Sequence, residues 1–258
     1  MKLQLLQNDK QLTILEAHSG LSALLVEKSK WDGIWISSLT HSAIKGLPDN
    51  ELVPLKERVD LVAEIRKVST KPIVVDIDTG GELEHLPFII KWFEQAGANA
   101  VVIEDKKYPK QNSLLLEGQH ELEEIDKFCG KIRVAKAHSK DMLIIARLES
   151  LIAKKSMYEA LLRADAYEKA GADAIVIHSK EQISCNEVME FATEFRKKSN
   201  LPLVAIPTTY NLPEEHPFNM IITANHLLRA SLNAMQRFVN GEGVELTSVK
   251  SIFELLGH

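Results

Sequence analysis

The chain has 258 residues, and its 31 basic and 36 acidic side chains give a formal charge of −5 at pH 7. This balance leaves no basic stripe for a phosphate backbone, so nucleic acid is excluded as an expected partner. No apolar run approaches the ~18 residues of a membrane span, and the opening MKLQLLQNDK lacks the apolar core of a signal peptide, so no membrane association is expected.

Short apolar runs rich in β-branched residues alternate along the chain with longer segments of helical period. Strands are predicted at 13–17, 33–37, 72–77, 100–104, 142–148, 174–178, 202–206 and 220–224. Amphipathic helices are predicted between them, at 52–68, 85–95, 156–170 and 184–197 among others. This alternation is typical of parallel strands joined by crossover helices.

An internal repeat supports this interpretation, because residues 96–104 closely parallel residues 170–178. Both segments are typical of a helix end, a capping glycine and a buried strand. An open doubly wound sheet shows the same alternation, but no GxGxxG follows a strand, and eight units is the number that closes a barrel. We therefore predict an α/β fold, a single-domain (β/α)8 TIM barrel over residues 1–258.

The cysteine content and the absence of a linker agree with this prediction. Cys129 and Cys185 are too few for a disulfide framework and lack CxxC spacing, which predicts a reducing, cytoplasmic location. No Pro-, Gly- or Ser-rich tract divides the chain, and barrels of this length commonly form one domain.

Two carboxylates, Asp76 and Asp78, follow the third predicted strand, where a barrel of this kind builds its active site. Because side chains alternate along a strand, both are expected on one face, and the glycines after Thr79 let the backbone approach a ligand. Mg²⁺ needs one or two carboxylates and keeps several waters, so Asp76 is the candidate direct ligand, with Asp49, Asp78 and Glu104 on its waters. The alternative is that these carboxylates cap the next helix or pair with lysine.

Arg147 and His178 end the fifth and sixth predicted strands. They are expected to face an anion across the mouth from the metal, and a phosphoryl group is the expected target, because arginine offers a planar fork of donors. The alternatives are a buried ion pair of Arg147 with Glu149 or Glu104, and a hydrogen-bonded core histidine at His178. Histidines outside the strand ends, His41 among them, are interpreted as surface, loop or capping residues.

The segment from Glu104 to Ser113 begins at a strand end and continues as a polar loop that carries lysines and an amide. A loop as long as 106–118 in a compact domain is usually functional or disordered, and its position beside the aspartate pair favours a lid. The alternative is a solvated charge run in which Pro109 stiffens a turn.

The same segment fits the pattern E-D-K-x-x-P-K-x-N-S, and similar agreement runs over nearly the whole chain, through residues 15–23, 33–39, 76–80, 146–150, 177–180, 207–210 and 224–230. On these motifs the sequence resembles the phosphoenolpyruvate mutases of the isocitrate lyase superfamily. The resemblance implies Mg²⁺, with Mn²⁺ as a substitute, bound directly by Asp76 and through water by Asp49, Asp78 and Glu104. It also implies a homo-oligomer, a tetramer or a dimer, although a C-terminus that ends soon after residues 252–254 weakens the case for helix exchange between subunits.

The resemblance also implies roles for the side chains around a small-molecule substrate. The implied catalytic residues are Asp49, Lys110, Asn112, Arg147 and His178. The implied substrate-binding residues are Trp35, Ser37, Ser38, Leu39 and Ser113. Within these sets, Trp35 to Leu39 would receive a pyruvyl carboxylate, Arg147, His178 and Asn112 would hold the phospho group, and Lys110 would add positive charge from the lid. Gly81 departs from the family pattern, because many superfamily members carry an aromatic residue there.

The implied reaction is the Mg²⁺-dependent interconversion of phosphoenolpyruvate and phosphonopyruvate. The alternative within the family is a phosphonopyruvate hydrolase that gives pyruvate and phosphate; Asn112 favours the mutase, because hydrolases resembling this family tend to carry threonine there. The K-K-C-G-H motif of the sister lyases does not follow Glu104, which argues against isocitrate or methylisocitrate cleavage. Another carbon–carbon lyase or a non-catalytic binding barrel is the less favoured alternative.

Overall fold

The computed structural model describes residues 10–115, 117–118, 120–181 and 183–257. Its parallel strands pair in chain order and close into an eight-stranded barrel, with β8 beside β1. The strands are β1 (Leu12–Glu16), β2 (Gly33–Ile36), β3 (Ile73–Asp76), β4 (Ala100–Glu104), β5 (Leu143–Leu148), β6 (Ala174–Ile177), β7 (Leu203–Ala205) and β8 (Met220–Thr223). The predicted TIM barrel is confirmed, and no predicted strand end is wrong by more than one residue. The ends of the predicted domain, residues 1–9 and 258, and residue 116 of the predicted lid lie outside the described residues.

Helices surround the barrel. They are α1 (Gly20–Glu27), α2 (Ser38–Ala43), α3 (Leu55–Arg66), α4 (Leu86–Ala96), α5 (Ile125–His138), α6 (Met157–Lys169), α7 (Asn186–Arg196), α8 (His226–Val239) and α9 (Val249–Leu256). The four helices predicted with bounds are α3, α4, α6 and α7. A residue at a predicted end caps α4, α6 and α7; Ser156, for example, accepts the amide of Glu159. The alternation fails once, because residues 206–219 join β7 to β8 without a helix. None of the described helices is long and apolar enough to cross a membrane.

The predicted helix–glycine–strand repeat is present at both places. Gly97 and Gly171 follow α4 and α6 with φ of 103° and 102°, a left-handed conformation that favours glycine. A Cβ at Gly97 would also lie 2.9 Å from Arg66 Nε, so a larger residue would clash there. Each glycine thereby turns the chain directly from a helix into the next strand.

A contact that we call the Asx clamp is repeated four times at the N-terminal end of the barrel. In each clamp an Asp or Asn lies directly before an even-numbered strand. Its main-chain amide donates to the carbonyl of one residue in the preceding strand, and its side-chain oxygen accepts the amide of that residue. The pairs are Asp32 with Thr13, Asn99 with Ile73, Asp173 with Ile144, and Asn219 with Leu203. A cation binds each Asx side chain, namely Lys10, Arg66, Lys136 and Arg196. This end of the barrel is therefore closed by structural contacts.

The other end of the barrel changes from apolar to charged. The interior is an apolar cluster that includes Val74, Val102, Ile145 and Val176. Because side chains alternate along a strand, the residue two positions further on also points inward. These residues are Asp76, Glu104, Arg147 and His178. The strand register places Glu104 directly beside Arg147, so charged groups meet at the C-terminal mouth.

Candidate active site

The C-terminal mouth encloses a cavity of about 40 Å³ under the segment 106–118. Most of the predicted site residues line it: Trp35, Ser37, Ser38, Leu39, Asp49, Asp76, Lys110, Asn112, Ser113, Arg147 and His178. The remaining two, Asp78 and Glu104, are buried next to this lining. Side chains without a predicted role complete it: Leu114, Ile206, Thr208, Ala224 and Asn225. The structure therefore brings the predicted site together, while the roles of its residues stay predictions.

Lys110 extends from the lid segment into the carboxylate cluster. Its Nζ lies 2.9 Å from Asp78 Oδ1 and 3.1 Å from Asp49 Oδ2, and it donates to Ser38 Oγ at 3.0 Å. Burial alone would lower the pKa of Lys110, but Asp78, Glu104 and Asp49 raise it well above its usual value. A charged Lys110 therefore compensates part of the negative charge of Asp49 and Asp78.

The expected geometry of the aspartate pair is wrong. β3 ends at Asp76, and Asp78 has a left-handed φ of 55°, so the two residues do not lie on one face of an extended strand. The turn lets the amide of Asp78 donate to Asp76 Oδ1 at 3.0 Å, and the Asp78 carboxylate pairs with Arg58 at 2.8 Å. Although burial favours the neutral acid, Arg58 and Lys110 hold the pKa of Asp78 well below its usual range. Lysine pairing, the alternative weighed for this carboxylate, is thus present together with a buried arginine.

The oxygen atoms around the cavity fit a hydrated hard cation. Asp76 Oδ2 accepts from Ser38 Oγ at 3.1 Å, and Asp49 Oδ1 and both Glu104 oxygens are buried without hydrogen-bond partners among the described residues. Burial raises the pKa of Glu104 to about 8, although Lys106 and other nearby cations oppose the shift. Within the described ranges, no three His, Cys, Asp or Glu side chains are grouped so that they could hold a metal. A cation with one carboxylate ligand, and the other carboxylates on its waters, agrees with both observations.

Arg147 and His178 meet at a third residue, Glu149. Arg147 Nε donates to Glu149 Oε1 at 2.5 Å, and His178 Nδ1 lies 3.0 Å from the same oxygen. Arg147 Nη1 lies 3.4 Å from Asp76 Oδ2, so the expectation that the guanidinium lies across the mouth from the metal ligand is wrong. The buried ion pair and the hydrogen-bonded histidine, weighed as alternatives, are both present in residues that also line the cavity.

The imidazole of His178 is neutral and has one nitrogen available to a ligand. Burial, followed by the charge of Arg147, lowers the pKa of His178. Nδ1 lies between a donor, Arg147 Nη2 at 2.8 Å, and an acceptor, Glu149 Oε1. Either tautomer therefore satisfies Nδ1 within this cluster, which leaves Nε2 for the cavity.

Glu149 is the main site residue to which sequence reasoning gave no role of its own. Its Oε2 accepts from Ser113 Oγ at 2.6 Å and lies 3.2 Å from Lys106 Nζ, so this carboxylate joins the lid segment to Arg147. Burial opposes ionisation, but Arg147 and Lys106 hold the pKa of Glu149 well below its usual value. Strand period was the available signal, because Glu149 lies two positions beyond Arg147.

Residues 110 and 112–114 of the predicted lid line the cavity, and the alternative of a solvated charge run is wrong for the inner residues of the lid. Lys110 and Ser113 are buried, whereas the side chain of Tyr108 is 55% exposed. Asn112 Nδ2 donates to Asp49 Oδ2 at 2.6 Å, and Asn112 Oδ1 accepts the amide of Leu114. The polar side chains of the lid are therefore held against the site.

His41 is not a surface, loop or capping residue as interpreted. It lies in α2 with 4% exposure, and its Nδ1 has no hydrogen-bond partner among the described residues. Burial and the charge of Arg58 lower the pKa of His41 from 6.5 to about 4, so the ring is neutral at pH 7. The sequence gave no signal for this burial, because the short helix α2 was not predicted.

Comparison with known proteins agrees with this site. A family model described as phosphoenolpyruvate phosphomutase matches residues 3–241. A phosphoenolpyruvate phosphomutase of Tetrahymena pyriformis is 37% identical over 95% of this chain and 86% of its own length. A phosphonopyruvate hydrolase of Variovorax sp. (strain Pal2) is 35% identical over 98% and 92%, respectively. A crystal structure of phosphonopyruvate hydrolase with oxalate and Mg²⁺ has a TM-score of 0.88 at 34% identity and matches 98% of this chain and 92% of that one.

These findings identify the class of protein and then its family. The chain folds as the (β/α)8 barrel of the phosphoenolpyruvate mutase and isocitrate lyase superfamily, and the relatives compared above are enzymes. The chain belongs to the phosphoenolpyruvate phosphomutase family, as its motifs predicted. Mutase and hydrolase relatives match the chain at similar identity, so both activities are candidates for it.

Proposed function

We propose that this chain is a phosphoenolpyruvate mutase that interconverts phosphoenolpyruvate and phosphonopyruvate. The observation that carries the proposal is a cavity lined together by Asp76, Arg147, His178 and the lid residue Asn112. In the reaction the phosphorus–oxygen bond breaks with its electrons on the enolate oxygen, and the enolate carbon then forms a bond to phosphorus. No outside nucleophile is needed, so a site that excludes water favours this outcome.

The metal proposed for this reaction is Mg²⁺, with Mn²⁺ as a substitute. Asp76 would bind it directly, and Asp49, Asp78 and Glu104 would bind its waters, in agreement with the unpartnered oxygens of Asp49 and Glu104. When bound, the ion supplies positive charge for the enolate oxygen. The hydrolase relative whose structure contains oxalate and Mg²⁺ supports this choice.

The phospho group would be held by Arg147 and His178, which both line the cavity. Transfer through a loose transition state leaves the protein mainly to position the group and to stabilise its equatorial oxygens. Glu149 holds both side chains, so their orientation does not depend on the substrate. Lys110 would add charge at the same end, and Ser113 and Asn112 would close the site above it.

The carboxylate of the pyruvyl unit would lie at the start of α2. Ser37 precedes this helix, and the first amides of a helix, here at Ser38 and Leu39, have no intrahelical acceptor. Trp35 Nε1 is buried in the same wall without a hydrogen-bond partner among the described residues. These donors support the proposed carboxylate-binding role of Trp35, Ser37, Ser38 and Leu39.

The cavity must enlarge before a substrate enters. Its volume of about 40 Å³ is too small for phosphonopyruvate, because Lys110 and Asn112 fill the space beside Asp49. Opening of the segment 106–118 removes both side chains at once, which is the behaviour expected of a lid that admits substrate and then excludes water.

A phosphonopyruvate hydrolase is the second candidate, because a hydrolase relative is 35% identical to this chain. The test is to supply phosphonopyruvate with Mg²⁺ and follow phosphorus by NMR. Phosphoenolpyruvate is the expected product, whereas phosphate and pyruvate without phosphoenolpyruvate would assign the hydrolase. No turnover at all would favour a carbon–carbon lyase or a non-catalytic barrel.

The same assay tests Asn112. Asn112→Ala should lower the mutase rate without abolishing substrate binding, because its amide donors no longer close the site. Gln111→Ala is the matched control, since it removes an amide of similar size from the adjacent, exposed lid position. Equal rates for the two variants would contradict the role proposed for Asn112.

A homo-oligomer, a dimer or tetramer, is also proposed. No residue of α8 or α9 is buried, although both helices carry large apolar side chains. Met235 and Phe238 of α8 and Ile252 and Phe253 of α9 are 42–58% exposed. A second copy of the chain would cover these faces, and light scattering after size exclusion tests this. The single catalytic unit over residues 1–258 and the cytoplasmic location stay predictions.

A further inference from the structure

Glu51 combines an unusual backbone conformation with a position at the edge of the site. It lies between α2 and α3, two residues beyond Asp49, and its φ of 64° is left-handed, which is unfavourable for a residue with a Cβ. Such a conformation persists only where the surroundings hold it, and it occurs often at functional sites. The contacts of the Glu51 side chain show what holds it.

The two carboxylate oxygens of Glu51 bind two different segments. Oε1 accepts from the amide of Thr79 at 3.1 Å and from its hydroxyl at 2.7 Å. Oε2 accepts from the main-chain amide of Lys110, in the lid, at 2.7 Å. One side chain therefore connects the turn after β3, which contains Asp78, to the lid.

The two sets of bonds differ in what happens when the lid moves. Thr79 lies in the turn after β3 and Glu51 in the connection between α2 and α3, so neither residue belongs to the lid. The Lys110 amide, in contrast, belongs to the lid, and it donates to Glu51 in the same conformation in which the Lys110 side chain lies between Asp49 and Asp78. The carboxylate is thus held in place by Thr79 and is ready to accept the lid backbone on closure.

We propose that Glu51 is a positioning residue that latches the lid in its closed conformation by accepting the main-chain amide of Lys110. This inference rests on the proposed function for its chemical consequence. With the latch lost, water reaches the site, its oxygen bonds to phosphorus, and the phosphorus–carbon bond breaks with its electrons on the enolate. Protonation of the enolate carbon by water then gives pyruvate and phosphate in place of phosphoenolpyruvate.

The test compares Glu51→Gln with the wild type and with Glu82→Gln. Glutamine keeps the size of the side chain, but its NH₂ group cannot accept, so it cannot bind Thr79 and Lys110 together. Glu82 is exposed and lines, together with Glu51, a groove between the starts of α3 and α4, so its substitution removes an equal charge but no hydrogen bond to the Lys110 amide. Glu51→Asp, which keeps the charge on a shorter side chain, is the second variant in case Glu51→Gln does not fold.

Two measurements separate a latch from a general structural role. Trypsin cleavage after Lys110, a buried side chain, reports the open population of the lid and should be roughly tenfold faster in Glu51→Gln. Phosphorus NMR should show a larger fraction of phosphate among the products of phosphonopyruvate. Glu82→Gln should match the wild type in both, and the melting temperature of Glu51→Gln should change little, because Thr79 keeps a partner.

The outcomes distinguish the latch from the proposed function. Wild-type cleavage rates in both Glu51 variants would overturn the latch, whatever the products are. If the wild type itself produces only phosphate, the mutase assignment fails, and the cleavage rates still decide whether Glu51 holds the lid. Faster cleavage in Glu82→Gln as well would assign the effect to charge in the groove and would also overturn the latch.

Discussion

Replacement of Glu149 by glutamine is predicted to destabilise the barrel mouth and to abolish most of the activity. The change keeps the shape of the side chain but removes a buried charge that Arg147 and Lys106 share, at 2.5 Å and 3.2 Å. Ser113 and His178 also contact this carboxylate, so the variant disturbs the lid and the cavity together.

The size of the effect follows from what remains near the two cations. Removal of one partner of a buried ion pair typically costs about 3–5 kcal/mol, because it leaves a buried charge uncompensated. Glu104 limits the cost here: its pKa of about 8 is raised in part by Glu149, so it ionises more readily once that charge is gone. It lies 3.7 Å from Arg147 and 3.8 Å from Lys106, so it can replace part of the lost interaction.

We therefore expect a loss of about 3 kcal/mol, the low end of the range for a broken buried pair. At about 2–4 °C per kcal/mol for a chain of this size, the melting temperature should fall by roughly 6–12 °C. The turnover of phosphonopyruvate should fall about a hundredfold, because the donors of Arg147 and His178 lose their alignment. Thermal unfolding by circular dichroism and phosphorus NMR measure the two effects.

Two further variants decide whether the reasoning is correct. Asp165→Asn removes a carboxylate from an exposed pair with Lys169 and should cost less than about 1 kcal/mol. Lys106→Met, added to Glu149→Gln, should restore part of the stability, because it removes one of the uncompensated cations. An unchanged melting temperature in Glu149→Gln, or further destabilisation by Lys106→Met, would refute the account of Glu149 as a shared counter-ion.

Three other predictions concern the metal, a histidine and a buried tyrosine. Excess EDTA should abolish turnover and Mg²⁺ or Mn²⁺ should restore it, but not in Asp76→Ala; full turnover in EDTA would contradict the proposed metal site. The folded-state pKa of His41 is about 4, below its ordinary value of 6.5. Protonation of His41 should therefore cost about 1–3 kcal/mol of stability as the pH falls from 6.5 to 4, and His41 should not change the stability above pH 6.5. In His41→Asn the melting temperature should depend less on pH between 6.5 and 4. An unchanged slope in this range would contradict the low pKa of His41. Tyr167→Phe removes a hydroxyl that donates to buried Asp105 at 2.7 Å and should cost about 1–3 kcal/mol in urea unfolding. The exposed Tyr158→Phe should cost nothing measurable, and equal losses in the two variants would rule out the Asp105 bond as the cause.

The barrel and the positions of its strand-end residues were predictable because local patterns determine them. Each strand is an apolar run bounded by breakers. Because side chains alternate along β3, Val74 and Asp76 both face the interior of the barrel. For the same reason Ile145 and Arg147 of β5 both face the interior. The mouth was therefore visible in the sequence as the place where inward positions change from apolar to charged.

Contacts between distant segments were not predictable in this way. The bond between Glu51 and the Lys110 amide joins residues 59 positions apart, and no local pattern relates them. The left-handed turn at Asp78 was missed because an aspartate between two β-type residues looks like a continuing strand. The neutral state of His41 depends on burial in a short helix that has no strong periodic signal.

The Asx clamps also divide the barrel into modules. They join β1 to β2, β3 to β4, β5 to β6 and β7 to β8. Within the described residues the other four seams carry no such clamp; the amide of Ile34, for example, donates to the carbonyl of Pro72. A chain break between β4 and β5 would leave every clamp inside one fragment, while a break between β3 and β4 would divide one between two fragments. New termini introduced by circular permutation, or the ends of a split version of the chain, are therefore best tolerated after an even-numbered strand.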